Sequence, residues 1–164
     1  MESTTDDEAR LAEIAAELAA AIDAALGPWV ERSVRRVLDA WVDRTGEPIA
    51  PEILASAAEA GRRAREEIGP RVRELLLTDV DRQRTTPLAI IRGAVRYPTE
   101  VLRAAGIPPL VRDAVAERQF PDDDYDLVPA SLGDVDPTLH ELGIAWGAAK
   151  AFVFKARRRA EGRR

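Results

Sequence analysis

Apolar residues that return every three and four positions, interrupted by glycine–proline pairs, leave this chain little to form except packed helices. Leu11, Ile14, Leu18, Ile22 and Leu26 fall on one stripe. Asp6 or Asp7 is placed to cap that helix, and Gly27-Pro28 reads as its end. Pro28 fits the first turn of a second helix, in which Trp29, Val30, Val34, Val37, Leu38, Trp41 and Val42 make a broad buried face up to Gly46. A third helix is expected from about Pro51 to Ile68. Its large apolar residues are few (Ile53, Leu54, Ile68), which predicts a peripheral position. Gly69-Pro70 separates it from a fourth carrying Val72, Leu75, Leu76 and Val80.

Thr86 caps and Pro87 opens a further helix with Leu88, Ile91 and Val95 inward, and Pro98 is expected to break or kink it. Short helices follow from Thr99 to Ala105 and from Pro108-Pro109, the latter with Leu110, Val111, Ala114 and Val115. Asp136-Pro137 opens the last helix, with Leu139, Leu142, Trp146, Ala149, Phe152 and Val153 on its inner face; Gly143 and Gly147 would let another helix come close. No run alternates with the period of a strand. The expected fold is therefore all-α: a single irregular bundle of six to eight helices, with the long final helix packed centrally. The spans read as a flexible acidic N-terminus over 1–8, a helical domain over 9–156 and a basic tail over 157–164.

A chain of 164 residues buries roughly 70% of its surface on folding. Hydrophobic residues are 46% of it and aromatic ones only 5%, so the core is aliphatic and thin, anchored by Trp29, Trp41 and Trp146. Charge comes in blocks: net −8 over 1–60, +4 over 61–118, −7 over 119–149 and +6 over 150–164. Between Phe120 and Asp136 six aspartates, Pro121, Pro129 and Gly133 predict a long acidic loop before the last helix. The blocks imply that this loop lies across the bundle and meets arginines of the middle segment.

Several chemistries lack their residues. With no cysteine there is no disulfide, thiol nucleophile or cysteine-bound zinc. His140-Glu141 starts a zinc-protease pattern, but Ile144 occupies the second histidine position. Asp122, Asp124 and Asp126 match the first alternate ligands of a calcium loop, but Leu127 and Gly133 stand where glycine and glutamate are needed. No phosphate-binding glycine loop and no G-x-S-x-G elbow occurs. No cofactor, metal or catalytic residue is expected. The polar, acidic start and the absence of a long charge-free apolar run predict a cytoplasmic protein with neither signal peptide nor membrane span.

Two clusters carry candidate contacts. Arg82, Arg84, Thr85, Thr86 and Arg92 gather around a predicted helix start, where N–H groups, hydroxyls and guanidinium forks suit an anion; the alternative is a simple cap with the arginines paired to Asp79, Asp81 or the acidic loop. Lys155, Arg157, Arg158 and Arg159 offer a partner or phosphate contact, or else form a solvated helix end.

The segments Thr85 to Pro98 and Phe120 to Ala151, the latter with its Asp-rich loop and Leu142-Gly143-Ile144-Ala145-Trp146-Gly147, resemble a family of small helical actinobacterial proteins to which no activity is assigned. The resemblance spans about residues 80–155. It implies a helical fold and a cytoplasmic setting, and carries over no site residue. The expected function is a non-catalytic interaction or regulatory protein that binds another protein, or itself, through an apolar helix face. The alternative is an accessory nucleic-acid-binding protein using the basic C-terminal helix and the middle arginines.

Overall fold

A computed structural model describes residues 2–163. The elements are α1 (Glu2–Thr45), α2 (Pro51–Leu77), α3 (Pro87–Arg92), a 3₁₀ turn (Gly93–Val95), α4 (Arg96–Ala104), α5 (Ala114–Gln119), α6 (Leu132–Val135) and α7 (Thr138–Glu161). No strand occurs among the described residues. The fold is an all-helical bundle centred on α1, which touches α2, α4, α6 and α7.

Both glycine–proline pairs lie inside helices rather than between them. A proline removes one N–H and frees the carbonyl four residues earlier. Here those carbonyls belong to Ala24 and Glu66, both exposed, as are Pro28 and Pro70 themselves. Water can satisfy what the proline leaves open, so the helix survives. The buried stripe runs on without interruption through Leu18, Ile22, Leu26, Val30 and Val34. α1 thus has 44 residues and a length of about 66 Å at 1.5 Å per residue.

The glycines are used for contact. At the α1–α2 crossing, a Cβ on Gly61 would stand 2.8 Å from the Gly27 carbonyl oxygen and 3.2 Å from its Cα. A Cβ on Gly69 would meet the Asp23 carboxylate at 2.7 Å, and that carboxylate accepts a hydrogen bond from Arg65 Nε at 2.9 Å. The segment expected to be peripheral is therefore core. α2 buries Ala57, Ala60, Gly61 and Ala64 beside Ile68, Val72 and Leu76; small side chains mark a close approach, not a solvent-bridging helix.

Pro98 does not break a helix. It is the third residue of α4, where its missing N–H costs nothing; the α-helical pattern gives way to the 3₁₀ turn just before it, at Gly93–Val95. Pro108-Pro109 starts no helix. Residues 107–113 are irregular, Leu110 N donates to the Asp124 carbonyl at 2.8 Å, and α5 begins only after Asp113, whose carboxylate caps Ala116 N at 2.8 Å.

The acidic loop meets the middle arginines. Arg103 Nε donates to Asp124 Oδ2 at 2.7 Å, and Arg92 Nε donates to the Pro129 carbonyl at 3.1 Å. The loop also supports itself. Asp123, only 2% exposed, accepts from Leu127 N at 2.7 Å and Val128 N at 3.0 Å. Buried Tyr125 donates its hydroxyl to the Ile107 carbonyl at 2.6 Å. Asp126 takes a left-handed φ of 56°, which aspartate tolerates better than most residues. Ser131 and Asp134 close the loop as a capping box on α6.

α7 is not central. It packs on α1 and α6 along one side only, which leaves its opposite side open.

Candidate interaction face

The sequence of α7 carries two seams at 3–4 spacing, the second apolar between charged ends. Leu139, Leu142, Trp146, Ala149 and Val153 follow each other at steps of 3, 4, 3 and 4; Leu139, Trp146 and Val153 are buried against the bundle. Glu141, Ile144, Ala148, Ala151 and Lys155 repeat the same steps two residues later, about 200° around the helix. Every residue of this second seam is exposed, Ile144 to 57%. Phe152 lies beside it at 59%, a correction to its expected place on the inner face. A helix apolar on both sides normally has neighbours on both sides.

Small residues floor the outer seam. A Cβ added at Gly147 would meet nothing within 4 Å, whereas one at Gly143 would strike Leu132 at 2.6 Å. Of the two glycines expected to admit a helix, Gly143 is filled by α6 and Gly147 borders open space. Ala145, Ala148 and Phe152 also form one wall of a groove of about 320 Å³ against α1, which lines it with Asp7, Arg10 and Ile14.

The five residues expected to make an anion site are engaged in different ways. Thr86 Oγ1 accepts from Ala89 N at 3.2 Å and so caps α3, and Arg82, Arg84 and Thr85 are exposed. Arg92 lies at the far end of α3, bonded to the Pro129 carbonyl and stacked 5.5 Å over the Phe120 ring. The cap of the alternative is present and Arg92 meets the loop, but Asp79 and Asp81 take Arg157 rather than Arg82 or Arg84.

The basic end divides as well. Arg157 is no free cation: its guanidinium bonds Glu8 at 3.0 Å, Asp81 at 3.1 Å and also Asp79. Three carboxylates raise its pKa, the Asp79 hydrogen bond most, and leave it little to offer a phosphate. Glu8, in the segment expected to be flexible, lies within α1 and is one of the three. Arg158 pairs with Glu161 at 3.7 Å and covers Phe154, while Lys155 and Arg159 are exposed. α7 continues through the expected boundary at 157 to Glu161.

A second concavity of about 460 Å³ lies between α4 and the acidic loop, among Arg92, Arg96, Arg103 and Phe120. Its arginines are committed. Arg103 holds Asp124, and Arg96 joins Glu67 at 2.8 Å and the Tyr97 hydroxyl at 2.7 Å. Tyr97 is fully buried, and its hydroxyl donates to Glu67. That bond, with Arg63 and Arg96 nearby, lowers the Glu67 pKa, while burial raises that of Tyr97. The Thr99 hydroxyl is buried beside this network without a partner.

The Asp122, Asp124 and Asp126 spacing does not gather ligands. Asp124 turns to Arg103, and among the described residues no group of three or more histidine or carboxylate side chains converges. No described helix is long and apolar enough to cross a membrane. The outer seam of α7 was missed by the inward reading of Phe152; its signal was in the sequence, as a second set of 3–4 spacings offset by two. Comparison with protein-family models, curated proteins and solved structures finds no match to this chain.

Proposed function

We propose that this chain is a non-catalytic helical interaction protein that takes a partner helix along the outer seam of α7. The observation that carries this reading is the row Ile144, Ala148, Ala151 and Phe152, exposed on a helix whose other side is already packed. Ile144 and Phe152 give apolar contact, and the alanines and Gly147 let a backbone come close. The buried α1–α7 side holds the seam straight without using it. A photo-crosslinking residue placed at Ala148 or Phe152, in cells producing the chain, should give discrete protein adducts, and one at the exposed Ala58 of α2 should not. Equal adducts from all three positions would remove the proposal.

A further inference from the structure

We infer that the partner on this seam is a second copy of the chain, its α7 antiparallel to the first and crossing at Ala148. The inference rests on the reading of the seam given above and adds the occupant and its register. Taken with Phe152 and the half-buried Ala145 beside it, the seam is palindromic in chemistry about Ala148. Turning the helix end for end sets Ile144 against Phe152 of the other copy, Ala145 against Ala151, and Glu141 against Lys155. Each contact then occurs twice, as a two-fold interface requires.

Charge selects the direction. Glu141 stands at one end of the seam and Lys155 at the other, both exposed, and neither forms an ion pair with a described residue. An antiparallel pair joins them twice, whereas a parallel pair sets glutamate on glutamate and lysine on lysine. Antiparallel helix dipoles agree with the same direction. The seam from 141 to 155 is about 21 Å long, the small end of specific interfaces, so the dimer is reversible and concentration-dependent.

The test uses the full chain. Sedimentation velocity up to about 1 mM, the weak end of specific affinity, should show a monomer–dimer equilibrium. Phe152→Asp should raise the dissociation constant at least tenfold with the helical circular dichroism unchanged, because the side chain is exposed in the monomer. Lys155→Glu should weaken the dimer, and adding Glu141→Lys to it should restore it. The chain has no cysteine, so Ala148→Cys should oxidise to a disulfide dimer much faster than Ala58→Cys, its Cα atoms meeting within the roughly 4–7 Å a disulfide spans. A monomer at every concentration overturns the inference, as does a dimer indifferent to Phe152→Asp or an Ala148→Cys no faster than Ala58→Cys. A monomer whose positions 148 and 152 still crosslink to one foreign protein removes the second copy and leaves the reading of the seam in place.

Discussion

The glycine contact at the α1–α2 crossing makes a sharp prediction, because the same substitution should act differently on its two sides. Alanine at position 27 would place a Cβ 3.6 Å from the Gly61 carbonyl oxygen, an ordinary contact. Alanine at position 61 would place one 2.8 Å from the Gly27 carbonyl oxygen and 3.3 Å from its carbonyl carbon, atoms of a backbone that cannot swing aside. Both substitutions gain about 1 kcal/mol of helix propensity. Only Gly61→Ala adds the strain of prying two long helices apart, about 1–3 kcal/mol by the measure of overpacked cores. The propensity gain cancels in the comparison, so Gly61→Ala should be about 1–3 kcal/mol less stable than Gly27→Ala. At this chain length each kcal/mol is worth about 2–4 °C in Tm. Urea unfolding followed by helical circular dichroism, at one fixed protein concentration, measures the difference. If Gly61→Ala is as stable as Gly27→Ala, the helices do not cross in the contact described.

Four further outcomes follow from the polar groups that the fold ties down. Asp123→Ala strands the Leu127 and Val128 amides inside the acidic loop and should cost about 1–3 kcal/mol in the same unfolding assay, with Asp123→Asn losing less. Tyr97→Phe removes the hydroxyl between Glu67 and Arg96, at about 1 kcal/mol. In the parent protein burial raises both Tyr97 and Tyr125 above the ordinary 10.0, so stability should fall as pH rises from there through the folded values, and ultraviolet titration should show the phenols ionising late. The Asp79 carboxyl is held below the ordinary 3.8 by the Asp81 amide and by the Arg157 guanidinium. Its contribution is present above pH 3.8 and is lost as pH falls through the lower folded value; Arg157→Ala should flatten that acid-side loss, measured by urea midpoints across the range.

Helix existence was legible and helix division was not. The 3–4 stripes place apolar residues on faces that the structure buries, down to Leu18, Ile22 and Val34. What the stripes cannot report is which side of a helix a proline sits on. Pro28 and Pro70 read as stops because their local cost is about 3 kcal/mol in a helix interior. Their carbonyl partners face water, and the packing of α1 on α2 rewards continuity. The alanines of α2 misled for a related reason: hydrophobic volume is a guide to burial only where helices stand at ordinary distance, and Gly27 against Gly61 removes that distance. Tyr97 and Asp123 were invisible because their partners lie 30 and only 4–5 residues away, set by tertiary contact and by loop geometry respectively. What nearness in sequence conceals at the anion cluster is that Arg92 stands about 9 Å along α3 from Thr86 and turns to the Pro129 carbonyl.

The charge blocks settle what the fold leaves unspent. The N-terminal acidic block and the C-terminal basic block meet at Arg157, which takes Glu8 together with Asp79 and Asp81. Of the loop acids, Asp124 turns to Arg103 and Asp123 to backbone amides, and Asp134 and Asp136 cap α6 and the start of α7. Glu141 and Lys155 are among the charges left without an ion pair to a described residue, and they stand about 21 Å apart on one helix, unable to reach each other. An exposed ion pair is worth only about 0.2–1 kcal/mol, so two of them cannot hold a dimer; burial of Ile144 against Phe152 has to supply the affinity. The ion pairs instead decide between parallel and antiparallel, since reversing the direction turns two attractions into repulsions. Added salt should therefore weaken the dimer only slightly while eroding the penalty for a reversed charge such as Lys155→Glu.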